Sequence, residues 1–336
     1  MTKKEWIHST LHCQPTERVP IGFWHHYMPY WDMMSAIDDP TFFRMNLNGH
    51  TEYKKAYKPD FVKIMVDGLF FVPYDYANLK HAEDFKDLKV IDENDPWIQK
   101  NVEMVKYIRS LYGDDMMIFF NVFTPFTTIR DAVRFKQEGI PLSVDKMIDY
   151  LAEDKEIMKH AMDVVAHSIE VLLRKVIGEG MADGLYLCVS DPTGEIPFET
   201  YNECMRPSEE YVLKVANELS DTNLLHICGS LGSEQDKLMK LYSTYDVCAV
   251  NWATAITGIT LAEGRKLFPG KALLGGFDNS GEGLLCKGTK EEIKAYTKKL
   301  VEEAGKVGLI IGADCTIPET TEPERFDWIR EALEEL

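Results

Sequence analysis

The stretch Leu224-Leu225-His226-Ile227-Cys228-Gly229-Ser230 carries an apolar run of strand character into a glycine turn, with a histidine and a cysteine at the junction. Side chains two residues apart on a strand face the same way, so His226 and Cys228 point into one pocket. Imidazole nitrogen and thiolate sulfur are donors that zinc prefers. Two donors do not make a site, and the pair alone describes a packed histidine beside a buried thiol equally well. A third donor is offered by Cys315 in Ile310-Ile311-Gly312-Ala313-Asp314-Cys315-Thr316-Ile317-Pro318, again at the polar end of an apolar run. Three protein ligands and one open position describe a catalytic zinc, whereas a structural zinc is usually closed by four. Whether Cys315 reaches the other two depends on the fold.

The same pattern recurs along the chain. Eight short apolar runs end in small or polar residues: Arg18–Trp24, Phe61–Val66, Met116–Phe120, Gly184–Val189, Leu224–Cys228, Val247–Val250, Ala272–Phe277 and Gly308–Gly312. Helical signals lie between them. Ala152–Ile177 has apolar residues on one face of a long helix, Ser208 stands where it could cap another, and Thr289 precedes Glu291 and Glu292 before a third. Eight strands alternating with helices predict a parallel α/β sheet closed as a (β/α)8 TIM barrel. No linker or composition break divides the chain, so residues 1–336 are expected to form a single domain. A helical insert of roughly residues 124–183 separates strands 3 and 4 and is where a lid could sit. In such a barrel the active site lies at the carboxyl ends of the strands, where His226, Cys228 and Cys315 all fall. Strands 5 and 8 are not neighbours, so these ligands would have to converge across the barrel mouth.

Composition narrows the partners. Of the 336 residues 45% are hydrophobic, ample for a core, and the net charge of −18 argues against nucleic acid or an anionic membrane as partner. The first residues lack the apolar core of a signal peptide, and no apolar run approaches a membrane span. Seven scattered cysteines do not read as a disulfide framework. A reduced, cytoplasmic protein is expected.

Four stretches carry a resemblance: Arg18-Val19-Pro20, Leu225-His226-Ile227-Cys228-Gly229, Leu273-Leu274-Gly275-Gly276-Phe277-Asp278-Asn279, and Gly308 through Phe326 with Pro318 and Pro323. With them the chain resembles the uroporphyrinogen decarboxylase superfamily over nearly its whole length, and that superfamily is built on a (β/α)8 barrel. Its decarboxylases carry arginines after the first strand, in an Arg-Gln-Ala-Gly-Arg-Tyr segment, and a histidine in a Gly-His-Gly context on the last strand. Here Trp24-His25-His26-Tyr27-Met28-Pro29-Tyr30-Trp31 has no arginine, and Ala313-Asp314-Cys315 replaces the histidine segment. A substrate with many carboxylates would lack its bidentate partners. The resemblance is closer to the cobamide-dependent methyltransferases of the methylcobamide:coenzyme M type, whose zinc is bound by a His-x-Cys pair and a distant cysteine. His226, Cys228 and Cys315 match that pattern.

This resemblance implies a zinc-dependent methyltransferase that moves a methyl group between a corrinoid (cobamide), carried by a partner protein, and a small substrate. A site with two thiolates and an imidazole is soft and weakly acidic, which matches a thiol. The alternatives are a decarboxylase of the uroporphyrinogen type and a methyltransferase that demethylates an O-methyl substrate onto the corrinoid. Asp67, Asn121, Asp191, Asn251 and Asp278, at predicted strand ends, are candidate substrate-binding residues, although each could equally cap a helix. His25 is a further candidate, with one of His25 and His26 expected to point inward. Glu195 is a candidate labile fourth ligand. Gly275 and Gly276 are expected to serve close backbone packing rather than phosphate binding.

Overall fold

Each of the eight apolar runs overlaps a strand. The computed structural model describes residues 1–28, 34–137, 146–190 and 196–336. Its strands are β1 (Ile21–Gly22), β2 (Val62–Lys63), β3 (Ile118–Phe123), β4 (Gly184–Ser190), β5 (Leu224–Cys228), β6 (Ala249–Trp252), β7 (Ala272–Phe277) and β8 (Leu309–Ala313). All pair in parallel, in the order β1-β8-β7-β6-β5-β4-β3-β2, with helices between them. The result is a nearly closed (β/α)8 barrel, as the run count implied.

The seam between β1 and β2 is held by side chains. Asp60 accepts both guanidinium nitrogens of Arg18, at 3.2 and 3.0 Å, and the Ile21 amide at 3.0 Å. Such a bidentate pair is geometrically specific, so it fixes how the first strand meets the second. Gly22 permits the approach: a methyl group there would lie 2.3 Å from the Phe61 ring.

The barrel interior shows the two-residue period of its strands. Phe61 and Met65, Met117 and Phe119, Ala272 and Leu274 alternate inward and pack with Tyr186, Leu224, Ala249 and Ile310. Helix Lys3–Leu11 plugs the amino-terminal end with Trp6, Ile7 and Leu11. A capping box of Thr2 and Glu5 starts that helix. The interior is therefore apolar at one end, and the next inward positions towards the carboxyl ends include Lys63, Cys188, His226 and Asn251.

The insert between β3 and β4 contains helices Pro125–Gln137, Lys146–Glu153 and Lys155–Val176. The long helix expected from Ala152 starts later, because Asp154 caps it by accepting the Glu156 and Ile157 amides. Thr289 caps its helix as expected, in a box with Glu292. Ser208 does not. Its helix begins at Arg206 with Pro207 in the first turn, and the Ser208 hydroxyl donates back to the Met205 carbonyl. Among the described residues no helix is long and apolar enough to cross a membrane.

Candidate metal centre

Two adjacent strands and one loop build the site. His226 and Cys228 point inward from β5, and Cys188 stands directly across from His226 on β4. The donor atoms of Cys188, His226 and Cys228 lie within 4.8 Å of one another. Cys315, two residues past β8, reaches across the mouth to put its Sγ 3.7 Å from Cys228 Sγ. The convergence that the sequence left open is thus present. Two sulfurs bound at about 2.3 Å to a tetrahedral metal stand about 3.8 Å apart, so the donor spacing fits zinc, whereas a disulfide requires about 2.0 Å.

The imidazole is oriented by an amide. Asn251 lies across from His226 on β6, and its Nδ2 donates to the carbonyls of Leu274, at 2.7 Å, and Ala313, at 3.2 Å. Those two acceptors fix which way the amide faces. Its Oδ1 therefore accepts from His226 Nδ1 at 2.5 Å and from the Tyr186 hydroxyl at 2.9 Å. With the proton held on Nδ1, the His226 Nε2 lone pair is left for the pocket, the arrangement a metal-binding histidine needs. Tyr186 also stacks on the His226 ring, with centroids 5.6 Å apart.

The charges agree with a donor cluster. Cys228 is pushed well above the ordinary thiol range because its S–H donates first to Cys188 and then to Cys315. The same Cys228 donor holds Cys315 well below that range, against the effect of burial and with help from His226. Burial opposes ionisation of Cys188 too, yet Cys228 and His226 hold it low. For His226 burial works against the cation, but the neighbouring Cys188 and Cys315 sulfurs raise its affinity for a proton. Beneath them the Lys63 ammonium lies 5.0 Å from the Tyr186 ring centroid, 5.2 Å from that of Trp24 and 3.4 Å from Met65 Sδ.

A profile of the uroporphyrinogen decarboxylase (URO-D) family matches residues 71–336, a span that includes all four donors. The chain belongs to the URO-D family. It is 22% identical over 235 residues to the methylcobamide:CoM methyltransferase MtbA of Methanosarcina acetivorans, a match covering 69% of this chain. It spans 62% of that relative's length. A methyltransferase from Methanosarcina mazei superposes with a TM-score of 0.71 at 16% identity, over 100% of this chain and 99% of its own. A B12-independent methionine synthase from Shewanella sp. W3-18-1 superposes with a TM-score of 0.60 at 12% identity, over 95% and 97%. At those identities the two structures show a shared fold.

Around the cluster of this URO-D protein, the other candidate residues fall into distinct positions. Asp67 accepts His26 Nδ1 at 2.7 Å and the Tyr27 amide at 2.6 Å, so the acid at the end of the second run grips the segment after β1. His26 is the partner of Asp67; His25 instead turns among the rings of Tyr27, Tyr53 and Tyr57. Asn251 is wholly buried and occupied with His226, Tyr186 and two carbonyls, which makes it a support for the imidazole. Asn121 sits within β3 rather than beyond it, and lines a void of about 10 Å³ with Trp97, Phe120 and Thr128. Neither of its amide atoms has a partner among the described residues, and the void is of a size to admit one water. Asp278 closes a turn by accepting the Ser280 amide and hydroxyl. Asp191 and Glu195 lie outside the described residues. Gly276, at a φ of +113°, leaves no room for a side chain, since a methyl would meet Leu300 at 2.7 Å, in keeping with a packing role.

Cys188 is the candidate donor that the sequence reading missed. A signal was present: Tyr186 and Cys188 share the inward parity of His226 and Cys228, one strand earlier. Cysteine inside an apolar run reads as a small hydrophobe, which concealed it.

Proposed function

We propose that this chain is a zinc-dependent methyltransferase that moves a methyl group between a corrinoid on a partner protein and a small thiol. The observation that carries this reading is Cys315 Sγ lying 3.7 Å from Cys228 Sγ across the barrel mouth, beside the cluster of Cys188, His226 and Cys228. The relative whose name includes methylcobamide as a substrate supports the corrinoid half.

Zinc held by these residues would supply a mild Lewis acid that turns a bound thiol into a nucleophile near neutral pH. The protein's own part is positional. Asn251 keeps the proton of His226 on Nδ1 and the ring fixed against Tyr186. The apolar interior below, with Met65, Met117 and Leu274, excludes water from the floor of the site. The Asp67 contacts to His26 and Tyr27 stiffen the segment following β1, on the rim where a docking corrinoid would approach.

A decarboxylase reading has the family name in its favour. Against it, residues 24–31 contain no arginine to hold a polycarboxylate. Metal analysis tests the proposal first. One zinc per chain is expected in the purified protein, and Cys315→Ala should bind it about tenfold or more weakly in chelator competition, because a thiolate donor is lost. Unchanged zinc affinity in that variant removes Cys315 from the site.

A further inference from the structure

We propose that Cys188 is a fourth protein donor to the same metal, making the resting site a three-sulfur, one-nitrogen centre whose charge is balanced by Lys63. This inference rests on the zinc reading above and adds to it a residue outside the His-x-Cys and distant-cysteine pattern.

The first support is geometry. Cys188 is paired in register with His226 on the neighbouring strand, with its side chain on the same face. It belongs to the tight donor triplet with His226 and Cys228, while Cys315 closes on Cys228 from the far side of the mouth. Cys188 is also buried, at 4% exposure, so it is held in place by the barrel rather than by a loop. A cysteine serving only as packing would face an apolar neighbour; this one faces two donors.

The second support is charge. Zinc with two thiolates and a neutral imidazole is electrically neutral, whereas a third thiolate leaves a net charge of −1. Lys63 projects into the interior beside the cluster. Among the described residues its ammonium has no carboxylate partner, only Met65 Sδ and the faces of Trp24 and Tyr186. An ammonium in an apolar surrounding is unfavourable unless an anion or a π-face compensates it. Burial lowers its proton affinity, and the sulfurs of Cys188 and Cys315, the Asp67 carboxylate and the Cys228 sulfur act against that. A metal centre of net charge −1 would add to the anionic surroundings that Asp67 already gives Lys63. The same net charge makes the sulfurs more electron-rich and the metal less acidic than in a two-thiolate site. The thiol of the proposed reaction would enter by displacing one of the four protein donors, and such a centre favours a soft sulfur ligand over an alcohol or ether oxygen.

X-ray absorption at the zinc edge of the zinc-loaded full chain tests this directly. Three sulfurs at roughly 2.3 Å and one nitrogen are expected in the wild type, and two sulfurs in Cys188→Ala. Cys188→Ser, which keeps the size of the side chain, should match the alanine variant, and circular dichroism confirms that both barrels fold. Lys63→Met should keep three sulfurs but bind zinc about tenfold or more weakly in chelator competition. Two sulfurs in the wild type, unchanged in both Cys188 variants that still hold one zinc, overturn the assignment while leaving the zinc reading intact. Equal zinc affinity in Lys63→Met overturns the charge balance. A wild type that binds no zinc overturns the metal reading itself.

Discussion

Replacing Asn251 with alanine should weaken zinc binding by loosening a ligand it does not itself provide. In the folded chain the Asn251 amide bridges four groups: it accepts from His226 Nδ1 and Tyr186 and donates to the carbonyls of Leu274 and Ala313. Alanine frees the imidazole to turn and to exchange tautomers, so the Nε2 lone pair is no longer committed to the pocket. Loss of such a supporting group typically costs 10–100-fold in metal affinity, or about 1.4–2.7 kcal/mol. The metal-free protein should also lose stability, since each buried polar group left without a partner costs about 1–3 kcal/mol, reduced wherever water enters. Aspartate at the same position separates the two effects. It keeps an acceptor for His226 and Tyr186 but turns a second oxygen towards the Leu274 and Ala313 carbonyls. Asn251→Asp should therefore hold zinc well in a less stable barrel. Chelator competition gives the affinities and denaturant unfolding of the metal-free proteins gives the stabilities. If Asn251→Ala folds and binds zinc as tightly as the wild type, the orienting role is refuted.

Two further predictions concern the frame around the site. Glu209 is wholly buried, hydrogen-bonded to the hydroxyls of Tyr201 and Tyr245, and burial pushes its carboxyl up to about 7. Between the ordinary value of 4.5 and about 7 the folded state holds more protons than the unfolded one. Stability should therefore fall as pH rises through that window, by about 3 kcal/mol, and Glu209→Gln should remove the decline; parallel pH profiles for the two proteins contradict this. Arg18→Met leaves the carboxylate of Asp60, 2% exposed, without its fork at the β1–β2 seam. A loss of about 3 kcal/mol in urea unfolding is expected, and no loss means the seam is held by packing alone.

The fold was legible because each barrel strand is apolar over enough of its length to stand out. β5 and β7 have the predicted bounds, Leu224–Cys228 and Ala272–Phe277. The errors share a cause. Asn121 and Asn251 are polar and read as strand ends, yet β3 runs on to Phe123 and β6 lies two residues later than expected, from Ala249 to Trp252. A barrel strand can carry a polar residue within its length, so polarity there does not mark the end of the strand. Periodicity placed His226 and Cys228 on one face, but it could not show that Asn251 would sit beside His226. That depends on the register between β5 and β6, which no local pattern encodes. Cys315 was legible as a donor only through the whole topology. The pairing of Asp67 with His26 rather than His25 turns on a local bend after β1 that leaves the strand alternation behind.

The central claim is methyl transfer at a zinc held by His226, Cys228 and Cys315, and the absorption spectrum of a methylated corrinoid tests it most directly. Zinc-loaded protein mixed with methylcobalamin and a panel of small thiols should bleach the methyl–cobalt band. The change should require both the metal and the thiol, and it should vanish in His226→Ala. A band that stays unchanged across the panel, in a preparation that instead converts uroporphyrinogen to coproporphyrinogen with release of carbon dioxide, would contradict the account.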